Sequence, residues 1–151
     1  MEKKSKRPDP PAIAEKTVEV VANKAHELYP KLPLFLSGKS FGGRMSSQRL
    51  SKDSPEFVRG IIFVGFPLHP AGAPAIDRAS HLSVIKIPML FLQGTKDALA
   101  EMELLKPVVK KLKTATLKTF EGGDHSFKVK GKVIIEELAA EMSGFVDSVI
   151  Q

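Results

Sequence analysis

Gly38-Lys39-Ser40-Phe41-Gly42 sets a serine between two glycines, directly after the apolar run Leu32–Leu36. Gly-x-Ser-x-Gly between a buried strand and a helix is the sequence form of a nucleophile elbow. Chemistry dictates the spacing, because a serine hydroxyl is a weak nucleophile and must stand clear of the sheet within reach of a base. That requires a sharp turn with strained backbone at Ser40. Glycines at 38 and 42 are expected to remove Cβ atoms that would collide where strand and helix pack. A phosphate-binding loop would share Gly38-Lys39-Ser40, but it needs glycine at position 33, where this chain has Pro33.

The serine needs a base and an acid, which in this arrangement follow in the order Ser, Asp or Glu, His, each just past a strand. Pro88–Gly94 reads as a buried strand, and Thr95-Lys96-Asp97 follows it. Ala115–Phe120 reads as another, running into Glu121-Gly122-Gly123-Asp124-His125. Ser40 is then the candidate nucleophile and His125 the base. Asp97 is the acid that orients the imidazole, and the amide of Phe41 is an oxyanion donor. Asp124, next to the histidine, and Asp77, in a loop, compete for the acid's role. Asp97 is preferred for its position after a strand.

Four segments extend the pattern: Gly-Lys-Ser-Phe-Gly-Gly-Arg-Met at 38–45, Gly-Phe-Pro-Leu-His-Pro at 65–70, Gln-Gly-Thr-Lys-Asp at 93–97 and Glu-Gly-Gly-Asp-His-Ser-Phe at 121–127. Together they resemble a family of small α/β-hydrolase-fold proteins related to the dienelactone hydrolases, which includes a subunit of a histone-acetyltransferase complex. The resemblance implies the hydrolase fold, Ser-Asp-His machinery at positions 40, 97 and 125, and no metal or organic cofactor. It leaves the substrate open. Members of that fold normally carry several strands before the nucleophile strand, whereas 31 residues precede Leu32. The expectation is the C-terminal part of an α/β-hydrolase fold, whose first strand is an exposed edge. Self-association or a partner segment is expected to cover it, concretely a dimer that pairs the Leu34–Ser37 edges or packs neighbouring apolar helices.

The elements that position these residues alternate between strand and helix, which argues for a mostly parallel sheet of about four strands with helices on both faces. Residues 1–151 read as a single domain. Asp9-Pro10-Pro11 predicts a helix start, with Asp9 as cap. Ile13, Thr17, Val20, Val21, Lys24 and Leu28 follow at helical spacing. A helix is expected from Gly43 to about Leu50, then a buried strand from Val58 to Phe66. The loop from Pro67 to Lys86 is too short for a lid domain and predicts an open site. A helix over Glu101–Lys113 is expected to be interrupted or restarted at Pro107. Val133, Ile134, Leu138, Met142, Phe145 and Val149 form a core-packing stripe on a C-terminal helix.

Pro67-Leu68-His69-Pro70 follows a strand and therefore falls on the active-site side of an open α/β sheet. Leu68 and His69 are candidates for lining the substrate, against a loop-stabilising role. His26 is expected on the surface, and His81 has no identifiable partner. Lys39 is expected to lay its stem on the sheet rim. Arg44 is placed to pair with an acid that the sequence does not identify.

Composition bounds the partners. There is no cysteine, hence no disulfide or thiolate site, and no histidine or carboxylate pair has metal-binding spacing with a third ligand. No apolar stretch approaches the ~20 residues of a membrane helix. Met1–Asp9 lacks the apolar centre of a signal peptide, so a cytoplasmic protein is the simplest reading. The formal charge of +6 reflects Lys3, Lys4, Lys6 and Arg7 and a second group at Lys106, Lys110, Lys111 and Lys113. Without aromatic interleaving this is a solvated face rather than a nucleic-acid surface. The expected function is hydrolysis of a small ester, thioester or related acyl compound. The alternative is a hydrolase-fold interaction module with weak or no activity.

Overall fold

The computed structural model describes residues 8–151; the basic residues Lys3, Lys4, Lys6 and Arg7 lie outside them. The chain runs α1 (Pro11–Leu28), β1 (Leu34–Lys39), α2 (Phe41–Lys52), β2 (Val58–Val64), a 3-10 helix (Asp77–Val84), β3 (Met89–Gly94), α3 (Met102–Lys110), β4 (Ala115–Phe120), a short antiparallel hairpin of β5 (Lys128–Val129) and β6 (Lys132–Val133), and α4 (Ile135–Ile150). The four long strands form one parallel sheet in the order β1-β2-β3-β4. The central strands β2 and β3 are near-continuous apolar runs because both of their faces are covered, whereas the outer strands β1 and β4 keep exposed polar positions.

Strand alternation divides the core. Ile61, Phe63, Met89 and Phe91 join Leu50, Leu82, Leu105 and Val109 on one side, with residues of α2, the 3-10 helix and α3. Ile62, Leu90 and Leu92 join Phe127 on the other, under Leu138, Met142, Phe145 and Val146 of α4. Phe63, Phe66 and Phe91 form the densest part of the first cluster, with ring centroids 4.5 to 5.8 Å apart. Truncating one of these rings to alanine costs about 3–5 kcal/mol.

Several local expectations change. Asp9 does not cap α1: Pro10 is the N-cap residue, and no side chain bonds the helix end. The apolar stripe of α1 is largely open, with Ile13, Val20, Val21 and Leu28 all more than half exposed, while Glu15 and Ala22 face inward. The helix packs mainly on α2 and leaves its far side uncovered, beside the unpaired edge of β1. Pro107 neither ends nor restarts α3. It lies inside the helix, and both Pro107 and Glu103, whose carbonyl loses its bond, face solvent. Val133 belongs to the hairpin rather than to the last helix. Lys130 and Gly131 both have positive φ, which suits a two-residue turn between twisted strands.

Candidate active site

Parallel strands deliver their carboxyl ends to one rim, and the chain uses three of them. The backbone ladder continues past the strands: the Ser40 amide donates to Val64 O at 3.1 Å, Gly65 to Leu92 O at 2.9 Å, and Thr95 to Phe120 O at 3.0 Å. These bonds fix the starts of the loops that carry the polar groups.

Ser40 follows β1 with no intervening residue and holds φ 51° and ψ −116° as the N-cap of α2. This is left-sided backbone that a non-glycine residue enters only under strain. The crowding that surrounds it differs from the expectation. A Cβ on Gly38 would meet Gly43 N at 2.3 Å, and one on Gly43 would meet Gly38 O at 2.6 Å, whereas Gly42 has nothing within 4 Å. The close approach is between residues 38 and 43, because helix geometry turns position 42 outward to solvent. Gly42 is therefore not required for space.

The Ser40 hydroxyl lies 2.8 Å from His125 Nε2, and His125 Nδ1 lies 2.7 Å from Asp97 Oδ2. With the Nδ1 proton donated to the carboxylate, Nε2 is left to accept from the serine hydroxyl. The Asp97 side chain is fully buried, while that of His125 is about a quarter exposed. Asp97 is oriented by its own surroundings. Its Oδ1 accepts from the Leu99 amide at 2.8 Å, and its Oδ2 accepts from Gln93 Nε2 at 2.5 Å. Gln93 in turn accepts from the Phe66 amide at 2.9 Å through Oε1. Sequence reasoning gave Gln93 no role. Its signal was a lone amide closing the apolar strand Met89–Gly94, four residues before the acid.

The loops bearing Asp97 and His125 are tied together. Lys96 N donates to Gly123 O at 2.9 Å, and Gly122 N donates to Thr95 Oγ1 at 2.8 Å. They pass so closely that a Cβ on Gly94 would stand 2.2 Å from Gly123 O. Asp124 is turned to a different task. Its Oδ1 accepts from the amides of Ser126 and Lys128 at 2.8 and 2.9 Å. The bond from Lys128 is the chief reason its carboxyl is held below the ordinary range. Asp77 sits exposed in the first turn of the 3-10 helix.

The Phe41 amide opens α2, and an amide in that position has no intrahelical acceptor. Leu68 and His69 correct the expectation of substrate-lining residues, since neither exposes any surface. Leu68 is part of the larger core cluster. His69 bridges two loops: Nδ1 donates to Pro70 O at 2.9 Å, and Nε2 accepts from the Glu101 amide at 3.1 Å. His26 is half-buried and stacks on Phe57 at 4.2 Å between centroids. His81 does have a partner, Ser47 Oγ at 2.8 Å. Among the described residues no cluster of three or more potential metal ligands occurs, and no helix is long and apolar enough to cross a membrane.

A family model described as an alpha/beta hydrolase domain matches residues 1–149. The chain belongs to the alpha/beta hydrolase domain family. Solved structures share its fold at low identity. An alpha-beta serine hydrolase homologue from Coxiella burnetii superposes with a TM-score of 0.69 at 20% identity, over 99% of this chain and 64% of its own. An esterase from Pyrococcus furiosus gives 0.71 at 15% identity, over 91% of this chain and 62% of its own. A monoacylglycerol lipase from Paleococcus ferrophilus gives 0.67 at 17%, over 89% and 75%. The chain thus spans roughly three fifths to three quarters of the length of these neighbours.

Proposed function

We propose that this alpha/beta hydrolase is a serine hydrolase acting on a small ester, thioester or related acyl substrate. The observation that carries the reading is the unbroken hydrogen-bond chain from Ser40 through His125 to Asp97. In the proposed cycle Ser40 Oγ attacks the acyl carbon while His125 Nε2 takes the hydroxyl proton. Asp97 stabilises the resulting imidazolium, and the Phe41 amide stabilises the oxyanion. Collapse of the tetrahedral intermediate breaks the bond to the leaving group, which receives the proton from His125. Water, deprotonated by the same nitrogen, then releases the acid and restores the serine. Each oxyanion donor is worth on the order of 10²–10³ in turnover, so a site working with Phe41 alone is a slow enzyme.

Fluorophosphonate labelling of the purified chain tests this, with the labelled residue mapped by mass and Ser40→Ala as control. Labelling confined to Ser40 is the expected result. A folded chain that does not label would favour the second reading, a hydrolase-fold interaction module. The observation behind that alternative is the unpaired β1 edge beside the exposed apolar side of α1.

A further inference from the structure

Arg44 and Arg78 lie at the nucleophile end of the sheet without a counter-charge among the described residues. Arg44 is in the first turn of α2, and its amide donates to Ser40 O at 3.1 Å. Its guanidinium carbon stands 5.8 Å from the centre of the Phe41 ring, the residue proposed as oxyanion donor. Side chains of a helix tilt toward its N-terminus, so the Arg44 stem runs back toward the serine. Arg78 comes from the 3-10 helix after β2, and its Nη1 donates to Pro67 O at 3.4 Å, just beyond the carboxyl end of β2. The two segments are fastened by the bond between Ser47 and His81.

The acid expected to partner Arg44 is absent among the described residues. No carboxylate lies within 4.0 Å of either guanidinium, and Arg44 Nε is buried with no acceptor. Glu15, the buried carboxylate of α1, is taken by Lys52. Burial first, then the charge of Arg78, hold Arg44 below the usual range for arginine. A cation over the Phe41 ring gains some quadrupole attraction, but an aromatic face neither accepts the Nε proton nor neutralises the second guanidinium. Half-buried arginine forks match oxyanions bidentately, and an unpaired one loses that stabilisation.

We propose that Arg44 and Arg78 form an anion subsite beside Ser40, and that the acyl substrate carries an oxyanion, carboxylate or phosphate, a short chain away from the scissile carbonyl. Arg44 enters α2 one helical turn after the serine, on the side of the helix that Ser40 shares. A half-ester of a short dicarboxylic acid, or an acyl compound with a phosphate at similar reach, would bring its anion to a cation placed there. This assignment rests on the serine-hydrolase reading for its substrate, but the anion site itself can be tested without turnover.

The experiment has a binding arm and a turnover arm. Glutarate and glycerol phosphate are titrated by calorimetry into wild type, Ser40→Ala, Arg44→Gln and Arg78→Gln. One of the two anions is expected to bind wild type and Ser40→Ala alike, with affinity about tenfold weaker in either arginine variant. Which anion binds identifies the oxyanion. In the turnover arm, the mono-4-nitrophenyl ester of glutaric acid is compared with neutral 4-nitrophenyl butyrate. The wild-type preference for the anionic ester is expected to fall about tenfold in Arg78→Gln, the variant outside α2, mainly through KM. Hydrolysis of the neutral ester with no binding of either anion would overturn the subsite and leave the hydrolase reading standing. Anion binding that both arginine variants weaken, in a chain that hydrolyses neither ester, would uphold the subsite and overturn the hydrolase reading. Binding unchanged in a folded Arg78→Gln would remove that residue from the site and overturn the proposed pair.

Discussion

Replacing Ser40 by glycine should stabilise the chain relative to replacing it by alanine, although both changes remove the proposed nucleophile. Both variants lose the same hydroxyl contact with His125 Nε2, so their difference isolates the backbone. At φ 51° and ψ −116° a side chain with a Cβ is strained by about 1–3 kcal/mol, a cost that alanine keeps and glycine sheds. Glycine gives back about 0.4–1 kcal/mol through its freer unfolded chain. The balance is roughly 1 kcal/mol or somewhat more in favour of Ser40→Gly. For a chain of this size that is about 2–4 °C in Tm per kcal/mol. Urea unfolding followed by circular dichroism would read the difference as a higher midpoint at unchanged slope. Equal midpoints, or a more stable Ser40→Ala, would refute the claim that the fold holds Ser40 in strained backbone.

Other substitutions probe the same architecture from different sides. Gly42→Ala should be neutral or stabilising by about 0.5–1 kcal/mol, because that helical position is open, whereas Gly38→Ala should cost about 3 kcal/mol or prevent folding. Comparing their soluble yields and denaturation midpoints decides which glycine the elbow requires. Asp97→Asn should reduce kcat far more than Asp124→Asn, on the order of 10⁴ for an orienting acid, and steady-state kinetics giving the reverse order would reassign the role. His81 is held below its ordinary pKa of 6.5 by burial and then by the charge of Arg44. The unfolded chain therefore takes up this proton first as pH falls, and the associated stability, full above about 6.5, is lost below it. His81→Gln should flatten the fall in Tm between about pH 7.5 and 5.5, and an undiminished slope would assign it to other groups. We also propose that a second copy covers the open edge of β1, since twofold pairing of that strand closes both edges at once. Light scattering that returns a monomer at micromolar concentration would count against it.

The lesson of the sequence lies in which residues were legible and which were not. The convergence of Ser40, Asp97 and His125 could be read because each comes just past a strand, and a parallel sheet brings the carboxyl ends of its strands to one rim. The near-continuous apolar segments Val58–Val64 and Met89–Gly94 announced strands buried on both faces, and these two form the centre of the sheet. Periodicity served less well for α1. Its apolar residues recur at helical spacing, which identified the helix, but not which side of it would be covered. Tertiary packing turned Glu15 and Ala22 inward and left Ile13, Val20 and Val21 exposed.

The sequence alone also determined the order of the candidate chemical groups and the strained turn that presents the serine, because both follow from local chain geometry. Only the tertiary structure decided the rest. It buried Leu68 and His69, which the sequence places only on the site side of the sheet, and it recruited Gln93 to hold Asp97. It showed the crowding at the elbow to lie between Gly38 and Gly43 rather than at Gly42. It left Arg44 beside Phe41 with no acid within reach among the described residues. Each of these depends on distances between residues far apart in the chain or on opposite sides of a turn. Spacing along a sequence fixes which groups can lie on a common face, and packing fixes which of them touch.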